Sequence, residues 1–185
     1  MSTIYTGRGD EGYTDLLGAR IPKFDPRAEL IGTLDESTSQ MGVARATAAG
    51  RQTKDILEAA QRDLYRMMAE LAFVSEDLAD RYRITGDHLR NIEERTDTLA
   101  ADVPLAREFI LPGDSLAGAT LDVARTVVRR AERIAVRLAH DGELTNKTIL
   151  AYLNRLSSLL FVLGRYEDQL AGVTPKIAKQ DGEDE

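Results

Sequence analysis

Cysteine is absent from the 185 residues. That removes disulfides, zinc–thiolate sites and thiol nucleophiles together. Histidine occurs only at His88 and His140, far apart in the chain, so a histidine-built metal site is not expected. No run approaches the roughly 20 apolar residues that cross a bilayer. The start, Met1-Ser-Thr-Ile-Tyr5, has neither the basic opening nor the apolar core of a signal peptide. A cytoplasmic location is the default expectation. No segment alternates convincingly like a strand, and no internal repeat is present.

What is there is a soluble chain with enough apolar material for one sizeable core. Hydrophobic residues make up 43% and charged residues 30%. The net charge is −7, and it is unevenly spread. Asp181-Gly-Glu-Asp-Glu185 concentrates acid in a tail expected to be disordered. Arg125, Arg129, Arg130, Arg133 and Arg137 make one segment locally basic. Overall acidity argues against nucleic-acid binding; a basic helix in an acidic chain suits a small polyanion better.

Apolar periodicity predicts five long helices, over about 27–48, 53–79, 87–101, 116–141 and 145–171. Gly50 ends the first, Ser115 caps the fourth and Thr145 caps the fifth. The expected fold is all-α, an up-and-down five-helix bundle with an irregular glycine-rich N-terminal segment. Its parts are the irregular N-terminal segment at 1–25, the bundle at 26–172 and a flexible acidic tail at 173–185. The last helix is unusually apolar from Leu153 to Leu163, which suits a bundle centre or a subunit interface.

The segment Val123 to Arg133 carries the strongest chemical signal. At 100° per residue, Arg125, Arg129 and Glu132 fall on one narrow stripe, with Asp122 at its edge. Two guanidiniums in a row repel unless an anion lies across them, and arginine suits bidentate phosphate or carboxylate binding. The plain alternative is a solvated face paired across neighbouring helices. Other features read less sharply. Thr6-Gly-Arg-Gly-Asp-Glu-Gly12 could let backbone approach a phosphate, with Arg8, Thr14 and Lys23 as donors, or be an ordinary flexible terminus. Asp35 sits near an apolar stripe and would suit Arg125, or be a partly exposed edge residue. Asn154 and Ser158 lie one turn apart on the apolar helix, for a ligand or for a core hydrogen bond. Phe109 would ordinarily anchor its loop in the core.

Three blocks, in this order, resemble the PduO-type ATP:cob(I)alamin adenosyltransferases. They are Tyr5-Thr-Gly-Arg-Gly-Asp-Glu-Gly-Tyr-Thr14 with Lys23 and Asp35-Glu36; Phe109-Ile-Leu-Pro-Gly113; and Ala124-Arg-Thr-Val-Val-Arg-Arg-Ala-Glu-Arg133 with Tyr152-Leu-Asn-Arg-Leu-Ser-Ser-Leu-Leu-Phe161. The resemblance implies a trimeric five-helix bundle with sites between subunits. It implies transfer of the 5′-deoxyadenosyl group of ATP to the cobalt of cob(I)alamin, giving adenosylcobalamin and triphosphate. The nucleophile then belongs to the corrinoid, so no protein nucleophile is needed.

By the same resemblance, Arg129 grips phosphate, and Asp35 holds Arg125 near the reaction centre. Glu132 and Asn154 position the nucleotide. Thr6, Gly7, Arg8, Gly9, Asp10, Tyr13, Thr14 and Lys23 wrap the triphosphate with Mg²⁺, and Arg133 adds to the nucleotide site. Phe109 faces the lower side of the corrin and favours four-coordinate Co(II). A reductase and an adenosylcobalamin-dependent enzyme are the partners implied. The chain departs from the family pattern at Gly7-Arg8, Ser37-Thr38, Asp114 and Ser158. Those departures motivate an alternative, a non-catalytic relative that binds ATP or a corrinoid as carrier or sensor.

Overall fold

The computed structural model describes residues 5–105 and 108–179, the side chains of Glu76 and Leu78 excepted. Five long helices dominate it: α1 (Pro26–Thr47), α2 (Arg51–Ala72), α4 (Gly86–Asp102), α5 (Leu116–His140) and α6 (Thr148–Leu170), with a short α3 (Glu76–Ala79) between. Two small antiparallel pairs accompany them, β1 (Tyr13–Leu16) with β2 (Ala19–Pro22), and β3 (Ile110–Leu111) with β4 (Lys176–Ile177). No helix among the described residues is long and apolar enough to cross a membrane.

The start of α1 is set locally. Pro26 occupies the first turn, and Asp25 Oδ1 accepts the Arg27 backbone N–H at 2.8 Å. Antiparallel packing then follows from the apolar stripes. α1 lies against α2 and α5, and α6 against α5 and α4. The core holds Leu30, Leu34, Leu57, Leu64, Val128, Ala135, Tyr152 and Leu156, each fully buried. Small residues on α5, Ala124, Val128, Ala131 and Ala135, let it approach α6 closely. The apolar surplus of α6 serves the bundle centre, since eight of its apolar side chains are buried within the chain (Ile149, Tyr152, Leu153, Leu156, Leu159, Leu160, Val162 and Leu163).

Three boundaries differ from the periodicity, each for a tertiary reason. The second helix stops at Ala72 because the N-terminal hairpin takes over its backbone groups. Leu17 N–H donates to Ala72 O at 3.0 Å, and Val74 N–H donates to Leu17 O at 3.2 Å. Gly50 does not end α1; it is the N-cap of α2. There the buried Glu167 carboxylate, from the end of α6, accepts the N–H groups of Ala49 (2.7 Å) and Gly50 (3.1 Å) and the Thr53 hydroxyl. A Cβ at Gly50 would stand 2.8 Å from Glu167 Oε1, so a bare backbone is required. Thr145 does not cap α6. Asn146, buried, accepts the Thr148 N–H at 3.1 Å and donates to Glu70 Oε1 (2.8 Å) and Ile84 O (2.9 Å). The cap at Ser115 is as expected, accepting the Gly118 N–H at 2.9 Å.

The N-terminal segment contains the β1–β2 hairpin where no strand was expected. A hairpin this short alternates over too few residues to be read from sequence. At the other end, residues 173–179 carry β4, while Asp181 to Glu185, the core of the expected acidic tail, lie outside the described residues.

Candidate functional site

The five arginines of α5 divide by what holds them. Arg130 pairs with Glu36, and Arg137 donates to Glu29 Oε2 at 2.8 Å, so both stitch α5 to α1. These two form a polar face paired across helices. Arg125 is partly buried, and its Nε donates to Asp122 Oδ1 at 2.8 Å, one turn back on the same helix. Arg129 and Arg133 are exposed, and no hydrogen bond or ion pair engages either among the described residues. Two unengaged guanidiniums one turn apart make an anion-seeking surface.

The stripe continues onto α6. Asn154 Nδ2 donates to Glu132 Oε1 at 3.0 Å, and both are partly buried. Asn154 Oδ1 in turn accepts from Arg155 Nη1 at 2.8 Å. Ser158 is exposed beside it, donating only a long bond to Asn154 O. Asn154 therefore stands beside Glu132 of the row, with the exposed Ser158 next to it.

Phe109 overturns its ordinary reading. It is 89% exposed rather than anchored in the core. With Glu108, Ile110, Pro112, Phe161, Asp122 and Arg125 it lines a cleft of about 340 Å³. The cleft is apolar on the Phe109–Phe161 side and carries the Asp122–Arg125 pair at its α5 wall. It can take a flat apolar body on one side and polar substituents on the other. Nothing in the spacing of Phe161 along α6 marks it as a cleft wall.

The glycine loop folds by two successive turns. Asp10 N–H donates to Gly7 O and Gly12 N–H to Gly9 O, both at 3.2 Å, with Gly7 at φ +70° and Gly12 at φ +82°. Arg20 Nη2 donates to Arg8 O at 2.8 Å, while the Arg8 side chain lies 3.5 Å from Asp15. Thr6 Oγ1 accepts the Arg8 N–H at 3.4 Å. Lys23 extends over the loop, and a Cβ at Gly9 would approach its Nζ to 3.1 Å. Thr14 pairs with Ile21 across the hairpin, and Tyr13 lies beneath the Arg20 guanidinium at 5.7 Å. The loop thus presents Arg8, Lys23 and backbone from one small scaffold.

Among the described residues, no hydrogen bond or ion pair links this loop to the α5–α6 surface of the same chain. The hairpin is bonded to the end of α2. Nor does the chain bring Asp35 to Arg125. Asp35 is exposed on α1, and Arg125 is held by Asp122 instead. Spacing along a helix fixes which face a residue occupies, but not which residue of another helix, or of another copy, comes opposite. No group of three or more His, Asp or Glu among the described residues could hold a metal ion.

Comparison with known proteins bears on this arrangement. The family model described as cobalamin adenosyltransferase matches residues 4–167. A corrinoid adenosyltransferase of Bacillus subtilis is 37% identical over 174 residues, covering 92% of this chain and 89% of that protein. One of Citrobacter freundii is 39% identical over 170 residues, covering 91% and 96%. The chain spans about half the length of a further relative, the corrinoid adenosyltransferase PduO of Citrobacter freundii, of which it covers 54%. A solved variant of a PduO-type ATP:corrinoid adenosyltransferase from Lactobacillus reuteri, complexed with cobalamin and ATP, superposes with a TM-score of 0.86 at 31% identity, over 96% of this chain and 100% of that one. With its helical bundle in agreement, the chain belongs to the cobalamin adenosyltransferase family.

Proposed function

We propose that this ATP:corrinoid adenosyltransferase works as a homotrimer in the cytoplasm, and that each site is shared between two subunits. The observation that carries the reading is the pairing of unengaged Arg129 and Arg133 with the Phe109–Arg125 cleft on one face of α5. The glycine loop, which has no hydrogen bond or ion pair to that face among the described residues, would come from the neighbouring subunit. Exposed Asp35 would arrive with it and meet Arg125. Exposed Val136, seven residues from Arg129 and nearly in line with it on α5, favours a covered face there.

In this reading the corrinoid enters the cleft with Phe109 and Phe161 against its ring. ATP lies across Arg129 and Arg133, with Glu132 and Asn154 against its nucleoside. Arg8, Lys23, Tyr13, Thr14 and the Thr6–Asp10 backbone close over the triphosphate. Mg²⁺ travels with ATP as part of the substrate, held by phosphates and water. The Co(I) lone pair attacks C5′, the cobalt–carbon bond forms, and the C5′–O5′ bond breaks with its electrons leaving on triphosphate. The protein moves no proton in that step. It aligns cobalt and carbon and stabilises the charge gained by the leaving group. Phe109 excludes a lower axial ligand, which makes Co(II) easier to reduce by an external reductase, and the product passes to an adenosylcobalamin-dependent enzyme.

An anaerobic absorbance assay with chemically reduced cob(I)alamin, ATP and Mg²⁺ tests the reading. Loss of the Co(I) band with formation of light-sensitive adenosylcobalamin and one triphosphate per turnover is expected. A folded protein that binds either ligand without turnover would instead be a carrier or sensor. A monomeric mass by light scattering would remove the shared site.

A further inference from the structure

The loop that carries Phe109 is held from outside the bundle. β3 pairs with β4, setting Ile110 opposite Ile177 and Leu111 opposite Lys176. Ala178 N–H donates to the Phe109 carbonyl at 2.7 Å. Asp114, just past the Pro112-Gly113 turn, accepts the Lys176 N–H on Oδ2 at 3.0 Å, and the Lys176 ammonium lies 3.7 Å from Oδ1. The Asp114 side chain is only 9% exposed, although it sits in a surface loop. A carboxylate so covered needs partners, and the C-terminal segment supplies both of those observed. Ser115, next in sequence, caps α5 and also donates to Asp168 Oδ1 at 2.5 Å, so the far end of this loop is fixed to the bundle. Phe109 is free only as a side chain; its backbone is tied to the C-terminal strand.

We propose that Asp114 and Lys176 are positioning residues, a clasp through which the C-terminal strand sets the height and tilt of Phe109 over the corrin cleft. This rests on the corrinoid reading of that cleft. The aspartate that departs from the family pattern is then no stray charge beside an apolar site. Its charge is consumed by Lys176, on the side of the loop that faces β4. The clasp acts on the corrinoid half of the site alone. Asp114 and residues 176–178 have no hydrogen bond or ion pair with Arg129, Arg133, Glu132 or Asn154 among the described residues.

Four variants of the full chain test this. Ala178→Pro removes the N–H given to Phe109 O, and suits the extended Ile177 before it. Ala178→Ser keeps that donor. Asp114→Ala removes both contacts to Lys176, and Asp114→Asn keeps an acceptor without the charge. In the ligand-free protein, amide hydrogen exchange across residues 108–115 should accelerate in Ala178→Pro and Asp114→Ala, and stay unchanged in Ala178→Ser. In the assay, KM for the corrinoid should rise about five- to tenfold in the first two, the scale of one lost hydrogen bond, with KM for ATP unchanged. The four-coordinate Co(II) signal in electron paramagnetic resonance should fall in parallel, with Asp114→Asn between. Unchanged exchange would overturn the clasp. So would faster exchange with an unchanged corrinoid KM, or an equal rise in both KM values, which would mean general loosening. Wild-type protein that bound no corrinoid would sink the functional reading before any variant was compared.

Discussion

Asn154 donates a 3.0 Å hydrogen bond from Nδ2 to Glu132 Oε1, joining the second turn of α6 to the arginine row of α5. Among the described residues no hydrogen bond engages Glu132 Oε2, which stays available to a ligand. If both side chains position one nucleotide, their effects should not add. Asn154→Ala and Glu132→Ala should each raise KM for ATP. The double variant should lose less than the sum, with a coupling of about 0.5–3 kcal/mol. Additive losses in steady-state kinetics would mean that the pair is structural and acts at two separate places.

Arg129→Ala should leave the fold intact, because the side chain is exposed and no partner engages it among the described residues. The melting temperature should stay within the scatter of a surface change, about 0.5 kcal/mol. Turnover should fall about 10²–10³-fold, the scale of one lost donor to a leaving anion. Arg137→Ala offers the contrast, since it breaks only the exposed pair to Glu29. Activity near wild type in Arg129→Ala would remove that residue from the site.

Phe109→Ala should be nearly neutral for stability, since 89% of the residue is already exposed. Its effect should fall on Co(II) reduction and corrinoid affinity, and spare ATP binding measured by calorimetry. Equal losses on both ligands would contradict a role at the corrin face.

Gly118→Ala should destabilise by about 1–3 kcal/mol or more. An added Cβ would overlap Asp168 Oδ1, and Asp168 is fully enclosed with Arg165 at 2.9 Å and Ser115. Neither can retreat without unpairing a buried charge. Thermal unfolding decides it; an unshifted melting temperature would mean that α5 and α6 part here at little cost.

Tyr152, with no exposed surface, donates to Asp63 Oδ2 at 2.8 Å. Burial first, then the neighbouring Asp63 carboxylate, push its hydroxyl well above the ordinary value of 10.0. The folded value lies above the unfolded one, so the phenol's contribution is complete below pH 10.0 and drains away as pH rises beyond it. Tyr152→Phe should cost about 1 kcal/mol at neutral pH. The gap to wild type should shrink in denaturant melts taken at higher pH. A gap that held constant into alkali would show that Tyr152 titrates alike folded and unfolded.

The five long helices, their approximate ends and the all-α class could be read from the sequence, because apolar spacing at 3.6 residues leaves a bundle as its consistent burial. So could Ser115 as a cap and the Arg125–Arg129–Glu132 stripe, since both depend only on neighbours along one helix. Contacts between distant segments decided the rest. The hairpin ended α2 at Ala72, and Glu167 capped α2 from α6. Asn146 displaced Thr145 at the start of α6, because Glu70 and Ile84 gave its amide buried partners. Tertiary structure alone separated Arg130 and Arg137, held by α1, from Arg129 and Arg133, which remain open. It alone turned Phe109 outward and tied its backbone to β4. Helical periodicity specifies which side of a rod a residue occupies; only the packing of rods and loops specifies what stands opposite it.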